Sequence, residues 1–204
     1  MTGIIDAKEE RDVMVADVPN AFIQACIPNA DKVGERIIVK ITGVLVNILL
    51  QMAPNTYGPY VVFDAKGHKV LYVQVIKALY SMLIAALLWY KLFRKVLESI
   101  GFTFNLYNQC VANHMIEKAQ QTVRFHVDDL WSSHVNSKVN DKFLIWLNEK
   151  YGGYSEVQAE RNKRFDYLRV TYDLNEPGLL QVDMSEYMKA MVRDFLIDLG
   201  DKME

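Results

Sequence analysis

The chain holds 204 residues, 51% apolar and 24% charged, with 23 Lys and Arg against 25 Asp and Glu for a net charge of −2. That composition excludes extended disorder, because it carries enough apolar surface for a core, and it lacks the overall basic footprint common in nucleic-acid-binding proteins. Cys26 and Cys110 belong to no CxxC pair, which excludes a zinc ribbon or dithiol motif and leaves both as buried thiols of a reducing compartment.

The opening "MTGIIDAKEERD" has no basic stretch followed by a long apolar run, so no secretory signal is expected; an intracellular site, cytoplasmic or nuclear, is favoured over secretion. Residues 11–18, "RDVMVADV", read as a short strand ending in an acid, and 19–27, "PNAFIQACI", as a helix with Pro19 in its first turn. Residues 35–41 are strand-like, 43–54 read as a short helix ended by Pro54, and 59–75 as two strands joined around Lys66-Gly67. The most apolar stretch, "ALYSMLIAALLWY" at 78–90, is too short for a bilayer, which needs roughly 20 residues, so no membrane partner is expected. It reads as a buried helix inside a helical region spanning 76–99, with a break near Ser81 and a stop at Gly101.

Beyond it, 108–116, 121–127 and 130–135 read as three strands, and 140–153 as an amphipathic helix closed by glycines. Residues 164–174 and 178–184 read as two more strands, and 185–200 as a final helix with Ser185 as its N-cap. Helices and hairpins interleave without strict β-α-β repetition. The fold class expected is α+β, an antiparallel sheet with helices packed on one face.

The chemistry centres on "RFHVDDLW", residues 124–131. Asp128 and Asp129 are neighbours between two strands, about where a two-residue hairpin turn falls. Each disfavours the ionised form of the other, and the apolar flanks Phe125, Val127, Leu130 and Trp131 limit screening by water. A hard divalent cation relieves such a pair, and Asp17, at the end of another apolar strand, is the best third ligand. Three carboxylates holding two ions suit nucleotidyl transfer, which needs positioning and charge neutralisation more than a protein nucleophile. Blander roles compete: Asp17 as a helix cap, the Asp pair as turn residues, Phe22 and Trp89-Tyr90 as core, and Lys91, Arg94 and Lys95 as a solvated face. A zinc set of His126, Asp128 and His134 matches no standard spacing.

"VADVPNAF" (15–22), "ALYSMLIAALLWY" (78–90), "YNQCVAN" (107–113) and "FHVDDL" (125–130) follow one another as they do in copia-type retrotransposon reverse transcriptases, and "DYLRV" (166–170) and "EYMKAM" (186–191) continue the match. The chain resembles that family over roughly residues 10–195. The resemblance implies a polymerase palm-like sheet with incomplete fingers and the start of a thumb helix. One domain over 1–204 would divide into a palm with partial fingers at 1–175 and a palm-to-thumb segment at 176–204.

The resemblance further implies that Asp17, Asp128 and Asp129 are catalytic and hold two Mg²⁺ (or Mn²⁺) ions. Phe22 would crowd the sugar 2′ position, Ser81 would lie by the incoming nucleotide, and 166–170 would be a strand of the primer grip. The implied partners are an RNA template with a DNA primer, and deoxynucleotides; the oligomeric state is not implied. Several positions depart from the family: Ser81 and Arg169 stand where glycine is usual, Asn108-Gln109 where Asp-Pro is usual, and His126 where many relatives have tyrosine, although histidine fits some branches. Those departures, with only 16 residues before Asp17, set a second expectation beside the first: an inactive, truncated remnant with weak nucleic-acid binding. A metal hydrolase using the same acids is a third reading.

Overall fold

A computed structural model describes residues 2–30, 32 and 36–200, with the backbone alone for 196–200. In chain order the first elements are α1 (Thr2–Lys8), β1 (Asp12–Asp17), α2 (Ala21–Gln24), β2 (Ile37–Thr42), α3 (Val44–Met52) and α4 (Pro54–Tyr57). They are followed by β3 (Val61–Phe63), β4 (Lys69–Val75), α5 (Ala85–Ser99), β5 (Thr103–Phe104), β6 (Val111–Ile116), β7 (Ala119–His126) and β8 (Asp129–His134). The last are α6 (Ser137–Tyr151), β9 (Gln158–Glu160), β10 (Arg164–Tyr167), β11 (Val170–Asp173), β12 (Gln181–Asp183) and α7 (Ser185–Gly200). The chain forms two compact units, one of Met1–Ala21 with Tyr90–Glu204 and the other of Phe22–Trp89.

The first unit is built on a six-stranded sheet in the order β5-β6-β7-β8-β1-β9, every neighbouring pair antiparallel. Strand side chains alternate between faces, and β8 is closed on both. Leu130 and Ser132 point to the helix side. There Phe93 of α5 meets Phe125 edge-on at 5.0 Å, and the Ser132 hydroxyl donates to Asn140 Oδ1 of α6 at 2.8 Å. Trp131 points the other way, against Phe165, Tyr167 and Tyr172 of β10 and β11 at ring distances of 4.8, 5.5 and 5.0 Å. Its indole N–H donates to the buried Asp6 of α1 at 3.0 Å. Helices thus pack on one face as expected, while α1 and the small β10-β11-β12 sheet cover part of the other.

The second unit is an antiparallel sheet, β2-β4-β3, with α3 and α4 beside it. Cys26 forms an isolated bridge to Lys77, and Ala78 N–H donates to the Ala25 carbonyl at 2.9 Å. These bonds hold 76–78 extended, so the helical region expected from residue 76 starts only at Ala85, and Ser81, with φ +71°, cannot be helical. Leu83, expected in a buried helix, is fully exposed.

Other expectations shift for equally local reasons. The helix over 19–27 shrinks to α2, because Asn20 takes φ +53° before it and Ile27 N–H bonds the Ile76 carbonyl after it. The strand expected at 164–174 is a hairpin: Leu168 and Arg169 take φ +53° and +63° and turn the chain between β10 and β11. The final helix is capped by the Asp183 carboxylate, which accepts from the Ser185 N–H at 2.8 Å, rather than by Ser185 itself. α6 starts at Ser137, with Asn136 accepting from the Lys138 N–H. Cys26 is exposed and Cys110 half-buried, so neither is the buried thiol expected. Among the described residues no helix is long and apolar enough to cross a membrane.

Candidate functional site

Two strands distant in sequence end side by side. Asp17 closes β1 and lies directly opposite Asp129, the first residue of β8. Partners in antiparallel register have Cα atoms about 4.5–5.5 Å apart and project to the same face. Asp129 also faces His126 across the β7–β8 hairpin. The turn is Val127-Asp128, one residue earlier than expected from sequence, with Val127 at φ +57°. The Asp128 carbonyl accepts from the Val18 N–H at 3.0 Å, fixing the turn to the end of β1. All three predicted acids therefore meet at one end of one sheet.

Partial loss of hydration, and then the charges of Asp128 and Asp129, push the Asp17 carboxyl above the usual carboxylate range. Asp129 is raised by burial and by Asp128, against a lowering pull from His126. Hard oxygen donors of like charge suit Mg²⁺ or Mn²⁺ by chemistry. Their geometry is less complete: among the described residues no three His, Cys, Asp or Glu side chains converge to hold a metal ion. The backbone juxtaposition is present and the ligand cage is not.

An open cleft of about 650 Å³ adjoins the acids, lined by His126, Asp129, Leu168, Arg169, Met184 and Tyr187. The β10–β11 turn and the start of α7 thus face the acid hairpin. Sequence reading placed Arg169 in a strand and passed over Met184 and Tyr187. Nothing in "YLRV" announces a two-residue turn, which usually carries Asn or Gly.

Phe22 and Ser81 belong to the other unit, Phe22–Trp89. Phe22 packs edge-on against Tyr80 at 4.6 Å, an intramolecular contact sufficient to account for its ring. The zinc set does not form, because His126 and His134 point to opposite faces. His134 is fully buried, its Nδ1 accepting from the Asn136 N–H at 3.0 Å and its Nε2 facing the Ile116 carbonyl at 3.3 Å. Lys91 and Lys95 are exposed as expected of a solvated face, and Arg94 beside them bonds Glu98 at 2.9 Å and Gln109, and lies over the Phe104 ring at 4.7 Å.

No protein-family model matches the chain, and no curated protein matches it in sequence. Among solved structures it is similar to the apo telomerase of Candida tropicalis, with a TM-score of 0.44 and 10% identity over 90% of this chain and 35% of that one. It is also similar to the telomerase of Candida albicans in complex with the TWJ fragment of telomeric RNA, with a TM-score of 0.41 and 11% identity over 90% of this chain and 34% of that one. The chain spans about a third of the length of these structures. Likeness at this level assigns no family.

Proposed function

We propose that the chain is the palm-centred part of a copia-type reverse transcriptase, an RNA-directed DNA polymerase that extends a DNA primer on an RNA template. One observation carries the reading: Asp17, from near the start of the chain, stands in register with Asp129, and Asp128 is bonded through its carbonyl to the residue after Asp17. A fold assembled only for stability gains nothing from three mutually repelling carboxylates. Asp17, Asp128 and Asp129 are the residues that would hold two Mg²⁺ or Mn²⁺ ions. When bound, such ions supply activation of the attacking oxygen and neutralisation of the leaving group.

The chain's own residues supply place and orientation. The Val127-Asp128 turn sets the acid pair at the sheet end, and the cleft against the β10–β11 turn and α7 offers room for a duplex terminus. In the reaction the primer 3′-hydroxyl attacks the α-phosphate of a deoxynucleotide and pyrophosphate leaves. Phe22 and Ser81 are assigned to the nucleotide by family resemblance alone.

A second reading, a palm that binds nucleic acid without turnover, is supported by the missing convergence of the three carboxylates. Mg²⁺-dependent extension of oligo(dT) on poly(rA), abolished by Asp128→Asn, decides for the polymerase. Binding of a labelled poly(rA)·oligo(dT) duplex by fluorescence anisotropy, with no extension, decides for the remnant. A chain showing neither sinks both readings, and phosphodiester cleavage without a primer favours a hydrolase.

A further inference from the structure

On the face shared by Asp17 and Asp129, one cation is held in an unusual way. Arg124 of β7 lies directly opposite Trp131 in the β7–β8 register, and its guanidinium carbon sits 3.6 Å over the Trp131 ring. The same carbon is 4.6 Å from the ring centre of Tyr167 and 5.3 Å from that of Tyr172. One amino group, Nη1, donates to Thr2 Oγ1 at 3.2 Å. Nε and Nη2 are buried with no hydrogen-bond partner. A guanidinium in an aromatic box gains cation–π energy, but leaving two of its N–H groups unmade is costly, and an aliphatic side chain fills such a space without that cost.

What the box joins explains the choice. Arg124 and Trp131 belong to the acid hairpin: Arg124 lies two residues before His126, and Trp131 two residues after Asp129. Tyr167 and Tyr172 belong to the β10–β11 hairpin, and Tyr167 is followed at once by Leu168 and Arg169. Those two residues line the cleft together with His126 and Asp129. The box is therefore where the two walls of the cleft are fastened, one strand step behind its opening.

We propose that Arg124 is a positioning residue that docks the β10–β11 hairpin on the acid hairpin and so sets the width of the cleft. It reaches neither a metal nor a reacting atom, and its role in a duplex-binding cleft rests on the polymerase reading above. A planar, always-charged group can stack on several rings at once in a fixed geometry. Leu or Met would fill the volume while leaving the hairpin free to slide.

The test uses Arg124→Met, which keeps length and removes the unmade N–H groups, and Arg124→Lys, which keeps charge without the plane. Hydrogen exchange of the peptide covering 164–174 reads docking without any need for catalysis. Fluorescence anisotropy with a labelled poly(rA)·oligo(dT) duplex reads the cleft. In Arg124→Met, exchange in 164–174 should rise about tenfold and duplex binding should weaken about tenfold, while the midpoint of unfolding barely moves. Arg124→Lys should fall between. Unchanged exchange in Arg124→Met overturns the docking role. Faster exchange with unchanged affinity overturns the cleft role and leaves Arg124 a fastener only. A wild-type chain that binds no duplex fails the polymerase reading and takes the cleft role with it, whereas the exchange result still decides docking.

Discussion

In the unit carrying the six-stranded sheet, a core closes around the central strands: Phe93, Leu97, Leu130, Trp131 and Leu147 are wholly buried between sheet, helices and the small β10-β11-β12 sheet, while loop residues such as Leu106 and Tyr107 stay exposed. In the unit of residues 22–89 the buried set is smaller, with Val46, Val70 and Leu71 covered but Val44 at 73%, Met52 at 78% and Phe63 at 67% exposure. Both segments are apolar in sequence, so composition does not separate them. Layer number does. A central strand flanked by further strands and covered on both faces can close a core, whereas three strands and a nine-residue helix lack a second layer wide enough to cover them. The acids sit in the unit that can hold a strained arrangement in place.

The sharpest way to break that contrast is to remove one large apolar side chain from each unit. Phe93→Ala empties a site lined by Phe125 and Tyr151 and should cost about 3–5 kcal/mol in a urea titration. Leu45→Ser on exposed α3 should stay within about 0.5 kcal/mol. Comparable losses from both would mean that 22–89 has a core of its own at α3.

Next in size is the polar bond that ties α1 to the sheet. Asp6 is raised above the usual carboxylate range, chiefly by its burial, and accepts from the Trp131 indole. Asp6→Ala leaves that N–H buried and unpaired and should lower stability by about 1–3 kcal/mol, read from the urea midpoint. Asp6→Asn, which can still accept, should lose less; an equal loss would show that the carboxylate charge, not the hydrogen bond, holds α1.

How much of this was legible follows from range of interaction. The strands "RDVMVADV" and "QTVRFHV" could be read because alternation is a local pattern, and the acid trio because two strand ends carried charges that apolar neighbours could not screen. α1 was missed because Asp6 sits buried in a segment that reads as polar. The 164–174 hairpin was missed because Leu168 and Arg169 adopt left-handed backbone without a turn residue to advertise it. The extended run at 76–78 was missed because its partners, Ala25 and Cys26, lie fifty residues earlier, roughly, and no local periodicity encodes a bridge. Arg124 and its aromatic box combine residues from three separate stretches and had no sequence signature at all.

Two positions where the resemblance led to expecting glycine, Ser81 and Arg169, are both left-handed in the structure, at φ +71° and +63°. Each side chain therefore stands on a backbone conformation that favours glycine. Ser81→Gly and Arg169→Gly should each stabilise by about 0.5–1 kcal/mol, the left-handed penalty less the entropy glycine loses on folding. Native-state hydrogen exchange also sharpens the contrast between units. Ser81→Gly should slow exchange within 22–89 alone, and Arg169→Gly within the sheet unit alone. Slowing across both units from either change would mean that they open as one.

The smallest effect concerns the acids themselves. Asp17 and Asp129 are both held above the ordinary value of about 3.9 by burial and by neighbouring carboxylates. The folded state therefore keeps protons that the unfolded chain releases. Its benefit from them is complete below the unfolded value and is lost as pH climbs through the raised folded values. Asp17→Asn with Asp129→Asn removes that loss, so the double variant should match the wild type near pH 3 and overtake it as pH rises, by about 0.5 kcal/mol at pH 7, since Asp17 is exposed and Asp129 half-exposed, so that water screens them. Added Mg²⁺ should stabilise the wild type and leave the variant unmoved. A wild type that is the more stable of the two at pH 7 without metal would mean that the three carboxylates are already neutralised by the chain itself. A cation at the end of β1 would then have no repulsion to relieve, however well the strands are placed.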